Sequence, residues 1–488
     1  MQTANYVQFT KSLDMCTLPR TFRDAITTTR KLSIPYIWID ALCIIQDSEE
    51  DKMRDIAQMK DIYSSSVVTI VAASSDSVSG GFLHDRNHSE TVYTIPARIR
   101  PGQFGTMSVN ELDAATYDER SEPLAKRAWT MQEQLLAQRT LTFATHTMIW
   151  SCKAGTRNFG DSLYFPHDLD AGYNDNDEKY SLNLNSLLIT KQEADSHKDK
   201  ALSCWLRLVT AYSLRRASLE CDKLNAVAGI ASSPPFVSSL GPGYFAGLWE
   251  YNLARQLTWY TSRWHRTLSE GEVFTPHRPT TYRAPSWSWA SLEDGVILSD
   301  FTFDDEEETE EVVCEIIECA TSKKYPDKNP FGEVIVAHLR LRGSLRNAWF
   351  NPLNSMVILL PIPDSDDLNG VQEAVIPYED AWKKHIADFM EANPDTEPEE
   401  AWDEEDWDLH RLHPNVTAGI SDESQATNPV IVHCLPVTHN STLENGVTGL
   451  LLTSSGEPGR SLYKRIGLFH KGKIGEFQDL PKKDITLL

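Results

Sequence analysis

The 488-residue chain is short of positive charge. It has 46 lysines and arginines against 70 aspartates and glutamates, a formal net charge of −24. A phosphate backbone is repelled by such a mean field, so nucleic acid is not the expected partner. No apolar run approaches ~20 residues, so no membrane-spanning helix is expected. The opening MQTANYVQFTKSLDM has no basic lead and no apolar core, so no secretory signal is expected and cytoplasmic residence follows by exclusion. Walker-type loops and GxGxxG are missing, which removes those modes of phosphate binding. No HExxH or paired-histidine spacing occurs among residues such as His84, His88, His146 and His277, and no metal site is expected. Eight cysteines are present, but only Cys314 and Cys319 lie close together, with no second pair to complete a zinc knuckle. Reduced, buried thiols are the expectation.

What is present is enough for real cores. Hydrophobic residues make up 41% and aromatics 9%, which argues against global disorder. The length fits roughly three average domains. Residues 19–33 read as a helix beginning near Pro19, with Phe22, Ala25 and Ile26 at helical spacing. The run Ile34-Pro35-Tyr36-Ile37-Trp38-Ile39 reads as a strand buried on both faces. Residues 50–63 return to helical spacing through Met53, Ile56, Met59, Ile62 and Tyr63. Residues 67–72, VVTIVA, read as a second buried strand. Strand, helix, strand at this spacing predicts a βαβ unit with the two strands parallel.

Further on, residues 123–138 read as a helix, 139–143 as a strand and 147–152 as another. Residues 154–198 are polar and rich in Asn and Asp, which reads as a linker. From about 201 to 256 the pattern is helical, with Trp205, Leu208, Val209 and Tyr212 on one face. Short β segments follow from Tyr282, interrupted by acidic stretches at 304–311 and 395–408 that read as solvated loops. There is no internal repeat.

Three ordered blocks carry a resemblance. The first is Tyr36 to Asp47, YIWIDALCIIQD; the second is Met59 to Ala73, MKDIYSSSVVTIVAA; the third is Arg127 to Phe143, RAWTMQEQLLAQRTLTF. Together they resemble the fungal heterokaryon-incompatibility (HET) domain. Downstream blocks such as FAGLWE and RAPSWSWAS extend the likeness, so it covers roughly Leu18 to Ser291. The family's usual opening strand has no counterpart before Leu18, so the domain is expected to lack its first strand. The resemblance implies an α/β fold, a TIR-like, flavodoxin-like parallel-sheet domain over 1–153; the patterns above place a linker over 154–198, a helical region over 199–275 and a β-rich region over 276–488. It implies non-self recognition and cell-death signalling, with self-association through the HET domain as the expected partnership.

Candidate site residues follow. Asp40 closes the first expected strand, and ligands bind at the carboxyl ends of strands in open α/β sheets. Its bland alternative is a cap on the next turn. Cys43 lacks a nearby histidine and is expected to be buried. Gln46 and Asp47 are expected to shape the following loop. Trp129 and Glu133, four apart, share a helix face. The resemblance to enzymatic TIR domains makes Glu133 the candidate catalytic residue for cleaving the nicotinamide–ribose bond of NAD, with Asp40 and Trp129 contributing to binding. NAD then enters as substrate, and no cofactor is expected. The alternative for Glu133 is a surface glutamate paired with Lys126, Arg127 or Arg139. Trp287 and Trp289 alternate with serine and are expected on one face of a strand, as core or as a stacking platform.

Overall fold

The computed structural model describes residues 1–86, 92–100, 103–110, 122–159, 194–261, 277–293, 295–296, 298, 310–351, 356–359, 413–416, 430–442, 446–455 and 461–488. The chain divides into two compact units that interleave along the sequence. The first comprises residues 1–204, 214–239 and 325–332; the second comprises 205–213, 240–324 and 333–488.

In the first unit, a short helix α1 (Tyr6–Phe9) precedes α2 (Arg20–Lys31), whose N-cap is Pro19. Helix α3 (Asp40–Cys43) is a single turn, and α4 (Glu49–Ser65) is long. The Ser48 side chain caps α4 by accepting from the Asp51 amide, and Glu49, Glu50 and Asp51 favour the positive end of its dipole. Strand β1 (Thr69–Val71) follows, then a separate hairpin of β2 (Val92–Arg100) and β3 (Gln103–Asn110). Helix α5 (Ala128–Leu136) leads into β4 (Arg139–Phe143), β5 (Met148–Cys152) and β6 (Gly155–Phe159). These form a sheet ordered β1-β4-β5-β6.

Among the described residues, the only parallel pairing in that sheet is β1 with β4, Thr69 opposite Thr140 and Val71 opposite Thr142. The βαβ unit is therefore built from residues 69–71, α5 and 139–143. This corrects the expectation that 34–39 and 67–72 are the parallel pair. Residues 34–39 are not a strand. Ile39 has extended dihedrals, φ −133° and ψ 121°, yet the segment joins no ladder, and Tyr36 is 87% exposed. A run of β-forming side chains gives an extended chain; only a neighbouring strand makes it β. The sheet also contains β6, which falls inside the stretch expected to be a linker. Residues 160–193 of that stretch lie outside the described residues.

One face of this sheet packs Val71, Ala73, Ala144 and Ile149 with Leu124; the other packs Leu141 and Phe143 with Phe82. Alternation of strand side chains produces the two faces. Helix α6 (Ala194–Ser213) crosses the division between the units, and α7 (Asp222–Ala231) and α8 (Pro234–Leu240) belong to the first.

The second unit holds a small hairpin of β7 (Tyr244–Phe245) and β8 (Leu248–Trp249), then α9 (Leu253–Gln256). Among the described residues, its main body is a ten-stranded, largely antiparallel sheet. The strands are β9 (Glu310–Val312), β10 (Glu315–Lys323), β11 (Val334–Ser344), β12 (Arg346–Asn351), β13 (Met356–Leu359), β14 (His413–Val416), β15 (Val430–Asn440), β16 (Val447–Ser454), β17 (Leu462–Gly472) and β18 (Lys482–Leu487). Its order is β10-β11-β18-β17-β16-β15-β12-β13, with β14 beside β17 and β9 beside β15. The β-rich character expected after Tyr282 is observed. Val357, Val432, Leu451 and Phe469 fill one core of this unit.

A second core is aromatic. Trp205, Trp249, Trp259, Trp287 and Trp289 are all fully buried. The indole N–H groups of Trp205 and Trp289 both donate to the Gly247 carbonyl, each at 3.0 Å. Trp287 and Trp289 do not lie on a strand: Trp289 begins a 3-10 turn capped by Ser288. Their burial makes them core and closes the stacking-platform alternative. The acidic stretches at 304–311 and 395–408 fall almost wholly outside the described residues, apart from Glu310 and Glu311 at the start of β9. Among the described residues, no helix is long and apolar enough to cross a membrane.

Candidate functional site

The site in the first unit is assembled on α5. Thr130 locks the start of that helix, its hydroxyl donating to the carbonyls of Arg127 (2.8 Å) and Leu124 (2.9 Å). The Ala128 amide donates to the Arg216 carbonyl at 2.8 Å, and the Arg216 amide donates to the Lys126 carbonyl at 2.8 Å. The Arg215 guanidinium adds a bond to the Thr130 hydroxyl at 3.0 Å. These ties fix where the next turn of α5 points, and the next turn carries Glu133.

Glu133 is half-buried on α5 and hydrogen-bonded to the Tyr63 phenol near the end of α4. Its carboxyl is pushed up to about 7. Loss of water is the largest cause, and the neighbouring charge of Asp40 adds to it. Arg127, the Tyr63 hydrogen bond and Arg215 act in the opposite direction. The Tyr63 phenol is itself pushed far above its ordinary value, first by burial and then by Glu133 and Asp40. Trp38 stands edge-on to the Tyr63 ring, centroids 5.7 Å apart. The tryptophan blocks near 38 and 129 therefore meet in one unit, through Tyr63.

Asp40 is exposed and opens α3, where its side chain accepts from the Ala41 amide at 2.7 Å. That bond is local, to the next residue, and the helix itself has no side-chain cap. The field of Asp40 nevertheless reaches Glu133, Tyr63 and Cys43. Trp129 spends its indole N–H on Asp222 at the start of α7, at 3.1 Å. One turn further along α5, the Gln132 side-chain oxygen Oε1 accepts from the Gly229 amide at 2.7 Å, binding α5 to α7 a second time. Sequence reasoning brings out Asp40, Trp129 and Glu133. It misses Tyr63 as a site residue, since the spacing of 50–63 assigns it to an apolar face. Arg215 and Asp222 lie some 80 to 90 residues beyond α5, and no local spacing connects them to it.

The remaining candidates separate. Cys43 is exposed, a correction to its expected burial; its thiol is still pushed up, chiefly by partial loss of water, with Asp40 and Asp55 adding to the shift. It is thus poorly suited to thiolate chemistry. Of the eight cysteines, only Cys314 and Cys434 are buried. Gln46 bonds the carbonyls of Asp40 (3.2 Å) and Ile44 (3.4 Å), and Asp47 accepts from the Thr3 amide at 2.8 Å, so both shape the loop as expected. Arg139 reaches the Val67 carbonyl at 3.4 Å. Among the described residues, no cluster of His, Cys, Asp and Glu could hold a metal ion. A surface cleft between α4 and α7 is lined by Lys60, Asn225 and Asn329, and includes neither Asp40 nor Glu133.

Residues 2–133 match the family model described as heterokaryon incompatibility protein (HET). This segment is a HET domain. It ends at Glu133, so all three sequence-derived site residues lie inside the matched segment. No curated protein and no solved structure matches the chain. The HET domain links the protein to heterokaryon incompatibility.

Proposed function

We propose that the chain is a cytoplasmic non-self recognition and cell-death signalling protein, acting through a TIR-like HET domain that self-associates. The observation that carries a chemical version of this reading is the Glu133 carboxyl, held near neutrality beside Asp40 and bonded to Tyr63. In that version the domain is an NAD glycohydrolase. The C1′–N bond between the ribose and the nicotinamide of NAD breaks and its electron pair leaves with nicotinamide. Positive charge builds on the ribose and is stabilised by the Glu133 carboxylate. Water then adds to C1′ and loses a proton, giving ADP-ribose. Asp40 contributes negative field and ribose contacts, and Trp129 shapes the pocket wall.

A second reading, a non-catalytic scaffold, is favoured by one observation. The polar groups of the cluster already satisfy one another, Trp129 with Asp222 and Tyr63 with Glu133.

One experiment separates the two. Concentrated, purified full-length protein is incubated with NAD and nicotinamide release is followed, alongside Glu133→Gln. Release by the parent and its loss in the variant support the enzyme. Release that survives in the variant removes Glu133 from its role. No release from either, with growth arrest on overexpression in a fungal host intact, supports the scaffold.

A further inference from the structure

The second unit buries a cation that has no counter-charge among the described residues. Arg465, on β17, has no accessible surface. Its guanidinium carbon lies over the Trp259 ring, 3.4 Å from the centroid, and its Nη2 donates to the Trp259 carbonyl. Its Nε and Nη1 are buried and have no acceptor among the described residues. The backbone around it is fully engaged. The Arg465 amide donates to the Ser286 hydroxyl at 2.9 Å, and the Arg465 carbonyl accepts from Arg278 Nη2 at 2.7 Å. Arg278 is half-buried, and its remaining donors have no partner among the described residues.

Two guanidinium groups therefore converge on one residue. Burial and mutual repulsion push Arg465 well below its ordinary value, and burial lowers Arg278 to about 10. A guanidinium does not surrender its proton inside a protein, however. The charge stays, and an unpaired buried charge is among the costliest features a fold can hold. Trp259 offsets part of that cost through its ring face. It cannot accept hydrogen bonds from Nε or Nη1 in the plane of the guanidinium. An anion can.

We propose that Arg465 and Arg278 form a binding site for a small oxyanion, a phosphate ion or the phosphoryl group of a larger metabolite. The oxyanion would take the unsatisfied Nε and Nη1 donors of Arg465. Arg278, nearer the surface, supplies the second positive charge. Guanidinium donors and phosphate oxygens are matched in geometry and charge, and bonds between them are about twice as strong as neutral ones. The site lies outside the HET domain and is independent of the Glu133 chemistry.

The test uses the full-length chain and inorganic phosphate, with sodium chloride matching ionic strength. Phosphate is expected to raise Tm saturably, by about 2–4 °C near 100 times its Kd. Arg278→Gln is expected to shift the phosphate midpoint at least tenfold higher. Arg465→Met, which keeps the length and removes the charge, is expected to abolish the response. Adenosine monophosphate is the second arm. A response to it supports a site for a carried phosphoryl group, and a response to phosphate alone supports a site for the free ion. No saturable rise beyond chloride overturns the proposal, as does a response in Arg278→Gln equal to the parent's. Should Arg465→Met fail to fold, the Arg278→Gln titration decides by itself.

Discussion

Tyr63 and Glu133 stand 70 positions apart in the chain and share one hydrogen bond between α4 and α5. The bond joins the two helices that lead into the paired strands of the unit's sheet. Helix α4 runs into β1 and α5 runs into β4, and β1 and β4 are the parallel pair. The carboxyl–phenol contact is thus set by the strand pairing beneath it.

The raised carboxyl of Glu133 predicts a pH effect on stability. The folded state holds this proton more tightly than the unfolded chain, whose ordinary value is 4.5. The stabilisation is complete below 4.5 and is lost as pH rises through about 7. Since Glu133 keeps some contact with water, the loss should be about 1–2 kcal/mol. Glu133→Gln should flatten that slope. Urea unfolding at pH 5 and pH 8 measures it; equal slopes in parent and variant would contradict the assignment.

Tyr63→Phe removes the donor that favours ionised Glu133. The carboxyl should then titrate higher still, and the midpoint of the pH–stability curve should move upward. The lost hydrogen bond should cost about 1–2 kcal/mol. A Tm series across pH 5–9 reads both effects.

Gly229→Ala tests the seam between α5 and α7. A Cβ at 229 would meet Gln132 Oε1 at 2.6 Å and Cδ at 2.8 Å. Gln132 is 1% exposed, so its side chain has little room to withdraw. Helix propensity favours alanine by about 1 kcal/mol, and overpacking opposes it by about 1–3 kcal/mol. A net loss of Tm is expected, together with weakening of the Gly229–Gln132 bond, seen as faster amide exchange at 229.

Gly247→Ala tests the aromatic core of the second unit. Ala246 and Gly247 both have positive φ, +49° and +97°, in the two-residue turn between β7 and β8. Such a turn favours glycine. A Cβ at 247 would also lie 2.5 Å from Trp289 Nε1. The combined cost should be about 3 kcal/mol. The expected readouts are a large fall in Tm and a red-shifted tryptophan emission; unchanged emission and Tm would contradict the packing described.

Local pattern determined a good deal by itself. The spacing of Met53 to Tyr63 specifies α4, Pro19 marks the start of α2, and the alternation of Thr140, Leu141, Thr142 and Phe143 specifies β4. The i, i+4 placement of Trp129 and Glu133 puts them on one helix face, and the three ordered blocks carry the HET likeness. These features depend on neighbours within a few residues, where helix and strand periodicity act. Tertiary structure alone decided the rest. Residues 34–39 have strand-like side chains but stay unpaired, because a ladder needs a partner that local sequence cannot supply. Whether Trp287 and Trp289 form a platform or a core depended on what packs over them. The closeness of Glu133 to Tyr63, and of Arg465 to Arg278, depended on pairings across tens to hundreds of residues. Such contacts follow from which surfaces can be buried together, a property of the folded chain as a whole.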